Sequence, residues 1–219
     1  MEMKKLAVFV LMAVMGVGAY AQVEDDVVEK RRQWGVSINI DMCTPSKVSM
    51  DGSSESVFET GAGVSVGGLY NISLGKTARW FIEPAVKLYY DTYSSKDGAV
   101  QDGDKLKLEK FGVRVPIHAG YRFVIGEMNL GVFTGPVFDL GIAGREKIKG
   151  GRYNASVSPF GDKGDFKRFN FLWSVGAAFE YEHHVFGLDL NYGCVNMYGG
   201  SQDYSFTDNV MSFTYAFKF

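Results

Sequence analysis

Between Trp34 and Phe219 apolar and polar residues trade places at every step rather than every third or fourth. Trp34, Val36, Ile38, Ile40 and Met42 are apolar, while Gly35, Ser37, Asn39 and Asp41 between them are small or polar. Successive side chains of a strand point to opposite faces, so this stretch has one oily face and one polar face. The alternation recurs over 64–72, 80–91, 111–123, 128–140, 169–181, 186–193 and 211–219. That makes eight segments of about ten residues, the length a tilted strand needs to cross a bilayer. Leu69, Phe81, Phe133 and Leu172 interrupt the pattern as apolar residues on the polar face.

The links between segments alternate too. Those at 73–79, 124–127 and 182–185 are short, and those at 43–61, 92–107, 141–168 and 195–209 are long. Short links at one end and long links at the other describe an all-β, eight-stranded antiparallel up-and-down transmembrane β-barrel with tight periplasmic turns and outer loops. The face compositions set its orientation. The bulky Trp, Tyr, Phe, Leu, Ile and Val set overfills a narrow bore, so it is expected to point outward, where a band of that extent needs lipid. Two rims of outward rings follow at headgroup depth. Trp34, Tyr70, Trp80, Tyr121, Tyr181 and Phe219 form the periplasmic rim, and Tyr90, Phe111, Phe138, Phe169 and Tyr192 the outer one.

The inward charges are close to balance: Asp41, Glu83, Asp139, Glu180 and Asp189 against Lys87, Arg114, Arg122 and Lys218, with His118 among them. Unpaired charges in a narrow bore are costly, so these residues are expected to form a lumen network of ion pairs, with Glu83–Arg114 as the first pair. A bore filled this way is not a solute pore.

Ahead of the first segment, Lys4 and Lys5 precede an apolar run over 6–17 and an Ala19-Tyr20-Ala21 site, which predicts a secretory signal peptide over 1–21. The run is too short for a spanning helix. Residues 22–33 read as a short periplasmic tether, and 34–219 as the barrel. Composition then narrows the function. A net charge of −2 argues against a nucleic-acid partner. The 27 glycines and 15% aromatics suit strands and turns. Cys43 and Cys194 exclude a disulfide scaffold; the exported compartment permits a bridge, while the strand between their two segments favours separate thiols.

Some stretches are similar to a known family. The end, 212–219 (SFTYAFKF), resembles the closing strand read by the barrel-assembly machinery. With 81–89 (FIEPAVKLY), 113–118 (VRVPIH) and 171–181 (FLWSVGAAFEY), the chain from 34 to 219 resembles the PorT-like outer-membrane β-barrel family common in Bacteroidota. The resemblance implies an eight-stranded barrel in the cell outer membrane, with some relatives serving secretion or adhesion, and brings no catalytic residues.

Candidate chemistry is sparse. Gly61-Ala-Gly63 and Gly67-Gly68 lack the helix that a phosphate-binding loop needs. His183-His184 sits in a turn with only Glu182 near it in sequence, so no metal site is expected. His118 reads as a lumen histidine rather than a general base. The 141–168 link is basic through Arg145, Lys147, Lys149, Arg152, Lys163 and Lys167, which could meet outer-leaflet polysaccharide phosphates or an acidic partner. The expectation is therefore a monomeric, cofactor-free structural or surface-interaction protein, not an enzyme. It would be set in outer-membrane lipid and act through extracellular loops on a polysaccharide or protein. The alternatives are an outer-membrane enzyme acting on lipid or peptide, and a secreted soluble ligand-binding barrel.

Overall fold

Each alternating segment is strand in a computed structural model, which describes residues 32–45, 58–75, 77–96, 105–149, 154–160, 166–199 and 206–219. The segment read as a signal peptide and most of the tether lie outside them. The strands are β1 (Arg32–Pro45), β2 (Gly61–Leu74), β3 (Trp80–Ser94), β4 (Lys105–Ile125), β5 (Met128–Lys149), β6 (Asn154–Val157), β7 (Phe169–Tyr181), β8 (His184–Gly193) and β9 (Asp208–Lys218). β1 thus begins two residues before the first aromatic of the pattern.

Eight of the strands close an antiparallel barrel. Each pairs with the next, β5 pairs directly with β7, and β9 returns to β1 with Ile38 facing Tyr215. No sheet edge remains in the closed wall, the condition for crossing lipid with every backbone group paired. β6 is a ninth, short strand laid against the outer end of β5.

The oily set faces out. Trp34, Ile38 and Ile40 are 61%, 56% and 64% exposed, while Ser37, Asn39 and Asp41 between them are buried. An exposed apolar surface of this extent marks contact with lipid rather than bulk water. The tight turns fit their positions. Gly126 in the β4–β5 turn takes φ 61°, a left-handed conformation that glycine adopts without strain. Inner-face glycines also make room for rings that break the alternation. A Cβ at Gly120 would overlap Phe81, and one at Gly176 would overlap Phe133.

The outer end differs from the sequence expectation. β4 and β5 run for 21 and 22 residues, about twice what a bilayer crossing requires. Much of what read as loop at 92–107 and 141–168 is therefore strand that continues the wall past the membrane. The bore also changes character with height. Towards its outer end Cys43, Phe58, Tyr93, Leu108, Leu172, Met197 and Phe206 pack with Val137 and Val210 into one apolar cluster. Phe58 and Phe206 meet edge-on at 5.8 Å. The bore is thus not uniformly polar.

Candidate functional site

The bore is filled in layers. At the periplasmic mouth Arg122 of β4 donates to Asn71 Oδ1 at 2.6 Å and Ser73 Oγ at 2.7 Å, and its guanidinium lies 4.6 Å from the Phe81 ring centre. Lys218 of β9 sits 3.2 Å from both Glu83 and Glu180. Asn71 donates to Glu83 at 2.7 Å, which ties the two halves of this layer together. Five strands contribute to it.

Above it, Lys87 of β3 donates to Asn39 Oδ1 at 3.1 Å and stands 3.8 Å from Asp189. Asn39 also accepts from Thr214 and donates to Ser65, so β1 is stitched to both its neighbours through one side chain. His118 stacks on Phe133 at 4.5 Å. Its Nε2, and Ser37 Oγ, are buried without a hydrogen-bond partner among the described residues. Both line a cavity of about 40 Å³, room for a few water molecules.

Arg114 of β4 is the hub of the next layer. Its three nitrogens meet Asp41 at 3.2 Å, Asp139 at 3.3 Å and Asp91, and its plane covers the Tyr89 ring at 4.0 Å. Tyr89 in turn donates to Asp139 at 2.6 Å, and Ser65 to Asp41 at 2.9 Å. The planar fork of a guanidinium can serve several carboxylates at once, which an ammonium point charge cannot do as directionally. Glu83 and Arg114 do not pair. Glu83 faces His118 across the β3–β4 ladder, whereas Arg114 faces Lys87, so their heights differ and each takes partners at its own level.

Sequence reasoning missed the uppermost polar layer. Asp208 accepts from Tyr93 and from Lys110 Nζ, both at 2.5 Å, directly under the apolar cluster. Lys110 lies one residue and Asp208 three residues outside segments that read as strand, and Asp91 stands at the end of one. Strand parity followed past the segment ends, from Gly112 to Lys110 and from Ser212 to Asp208, finds the two that lie outside. Buried ion pairs and the apolar cluster thus follow one another along the bore.

Outside, the two rims carry the rings. Trp34 stacks obliquely on Tyr70 at 4.4 Å, and Trp80 meets Tyr121 edge-on at 5.0 Å. Tyr181 and Phe219 are exposed at the same end. At the other rim Tyr90 faces Phe111, and Phe138 lies 5.6 Å from Phe171. Phe169 is exposed and Tyr192 half-buried. Among the basic residues, Arg145, Lys147 and Lys149 are on β5 rather than in a loop. Lys167 is exposed and donates to Asn196 O at 3.2 Å, while Arg152 and Lys163 lie outside the described residues. Glu109 contacts Lys147 at 3.0 Å and Lys107 at 3.1 Å above the rim, and the Lys147 hydrogen bond holds its carboxyl below the usual range.

His183 and His184 turn back onto the wall, to Lys218 O at 2.8 Å and Tyr215 Oη at 2.9 Å. Cys43 is buried in the plug and Cys194 exposed, both free thiols.

An outward apolar wall between two aromatic rims, around a bore filled by buried charge, defines an outer-membrane β-barrel protein. The chain belongs to the outer membrane protein beta-barrel domain family, whose profile matches residues 20–199, and its location is the outer membrane. No curated protein matches it. Among solved structures it is similar to Ail, the attachment invasion locus protein of Yersinia pestis, in complex with the heparin analogue sucrose octasulfate: 13% identity over 87% of this chain and 100% of that one, TM-score 0.46. It is also similar to OprG from Pseudomonas aeruginosa (10%, 89% and 99%, TM-score 0.44) and to Neisserial surface protein A (11%, 85% and 97%, TM-score 0.42).

Proposed function

We propose that this is a structural and surface-interaction protein of the outer membrane, of the PorT-like type, which conducts no solute and catalyses no reaction. It enters the membrane as a monomer through the assembly machinery, using β9, after loss of residues 1–21. Its partners are the surrounding lipid and a polysaccharide or protein met by the outer rim; nucleic acid is not among them. One observation carries this reading: the Arg114 and Asp208 layers sit in series beneath the apolar plug, while the wall of β4 and β5 continues outward beyond the girdle. The placement of His118 also supports a non-catalytic bore, since the cavities it lines, of about 40 and 20 Å³, have room for a few waters.

Planar-bilayer recording tests the closed bore. The refolded barrel should add no steps above baseline, and unitary currents that persist after purification would refute it. Intact mass of the protein extracted from outer membranes should correspond to a chain starting at Gln22; retention of 1–21 would remove the signal-peptide reading.

A further inference from the structure

β5 holds one residue too many near the outer rim. Gly112 faces Gly141 and Phe111 faces Ala143, so Ile142 bulges with no residue opposite it. A one-residue insertion exchanges the faces of everything beyond it. Below the bulge Met128, Thr134, Phe138 and Leu140 are exposed on β5, all of one parity, and Ile142 continues it. Above it the parity reverses, and Arg145 faces Glu109 while Lys147 faces Lys107. On unbroken β4 the alternate residues Leu108 and Lys110 are buried in the bore. Glu109, Lys107, Arg145 and Lys147 therefore stand on the outward side, directly above Phe111. Without the bulge Arg145 and Lys147 would be directed inward.

Lysines facing each other across a ladder repel. Here Lys107 faces Lys147. Glu109, between Lys107 and Lys147, is the carboxylate that bridges them. Arg145 makes no ion pair with any described residue, and the exposed Ser156 of β6 stands opposite Lys147. A sheet that spends register on turning bases outward, and holds them on strands rather than a loop, is preorganised for anions. Lys107 is four residues above Phe111, about 13 Å along the strand and less in height after tilt. That places it at headgroup level, on the side facing the leaflet in which Phe111 is anchored.

We propose that this outward basic face binds the phosphate groups of outer-leaflet glycolipid surrounding the barrel. The proposal deepens the reading of the outer rim as a contact surface and rests on it. Native mass spectrometry of the refolded mature barrel in mixed micelles, titrated with lipid A or its dephosphorylated form, tests it. The phosphorylated lipid should be retained at about tenfold lower concentration, and the preference should fade in high salt. The Lys107→Gln/Arg145→Gln/Lys147→Gln variant should lose the preference, Lys107→Arg/Lys147→Arg should keep it, and Arg32→Gln at the opposite rim should leave it unchanged. Heat-dependent gel mobility reports folding; if the triple variant does not fold, the single Lys107→Gln and Lys147→Gln variants give the reading. Equal retention of both lipids, an unaltered preference in the folded variants, or displacement by millimolar inorganic phosphate would overturn the proposal. A barrel that inserts and stays non-conducting while showing no preference would refute this site alone; channel activity would refute the broader reading instead.

Discussion

Replacing Arg114 with leucine is expected to be the most damaging single change inside the bore. Three aspartates, Asp41, Asp91 and Asp139, converge on this one guanidinium, and all are buried. Removing one partner of a buried ion cluster costs about 3–5 kcal/mol, because the remaining charges keep their desolvation penalty without compensation. Here three carboxylates lose their shared counter-charge together. Urea titration of the refolded barrel, followed by the heat-modifiable gel band, should show the midpoint fall sharply or the folded band disappear. Asp139→Asn should be milder, since Arg114 keeps two carboxylates. An Arg114→Leu barrel as stable as the parent would remove the ion cluster from the list of forces that hold the bore closed.

The second large effect is on the outer surface. Ile38 lies midway between the rims on β1 and is more than half exposed, with Val36 and Ile40 on either side of it on the same face. Ile38→Arg should cost about 2–4 kcal/mol in a bilayer, the penalty for a cation at the midplane of a transmembrane barrel. In a soluble barrel the same exposed substitution would be close to neutral. Folding titrations into lipid vesicles distinguish the two, and a neutral result would place the oily face in water.

The wall was legible in the sequence because period two is a local property. Side-chain parity from Trp34 to Met42, or from Phe213 to Phe219, requires no knowledge of neighbours. The rims were legible for the same reason, with parity and segment ends giving both direction and depth. Partners inside the bore were not, because they depend on register between strands. Glu83 and Arg114 are on adjacent strands and both point inward, yet the ladder sets Glu83 against His118 and Arg114 against Lys87. The bulge at Ile142 was equally hidden: a single surplus residue is visible only when β5 is laid against β4. The apolar plug escaped for a third reason. Phe58, Met197 and Phe206 come from stretches without alternation, and they meet only because the extended strands bring them over the same opening.

The Arg114 cluster also constrains how the molecule can come into being. Its members arrive from β1, β3, β4 and β5, and the layer above adds Asp208 from the last strand. A half-finished sheet in lipid would hold Lys110 without Asp208, and Glu83 and Glu180 without Lys218, so intermediates are penalised until the last strand docks. Closure and neutralisation are then one event, and assembly should be all-or-none, with no stable open curl along the way.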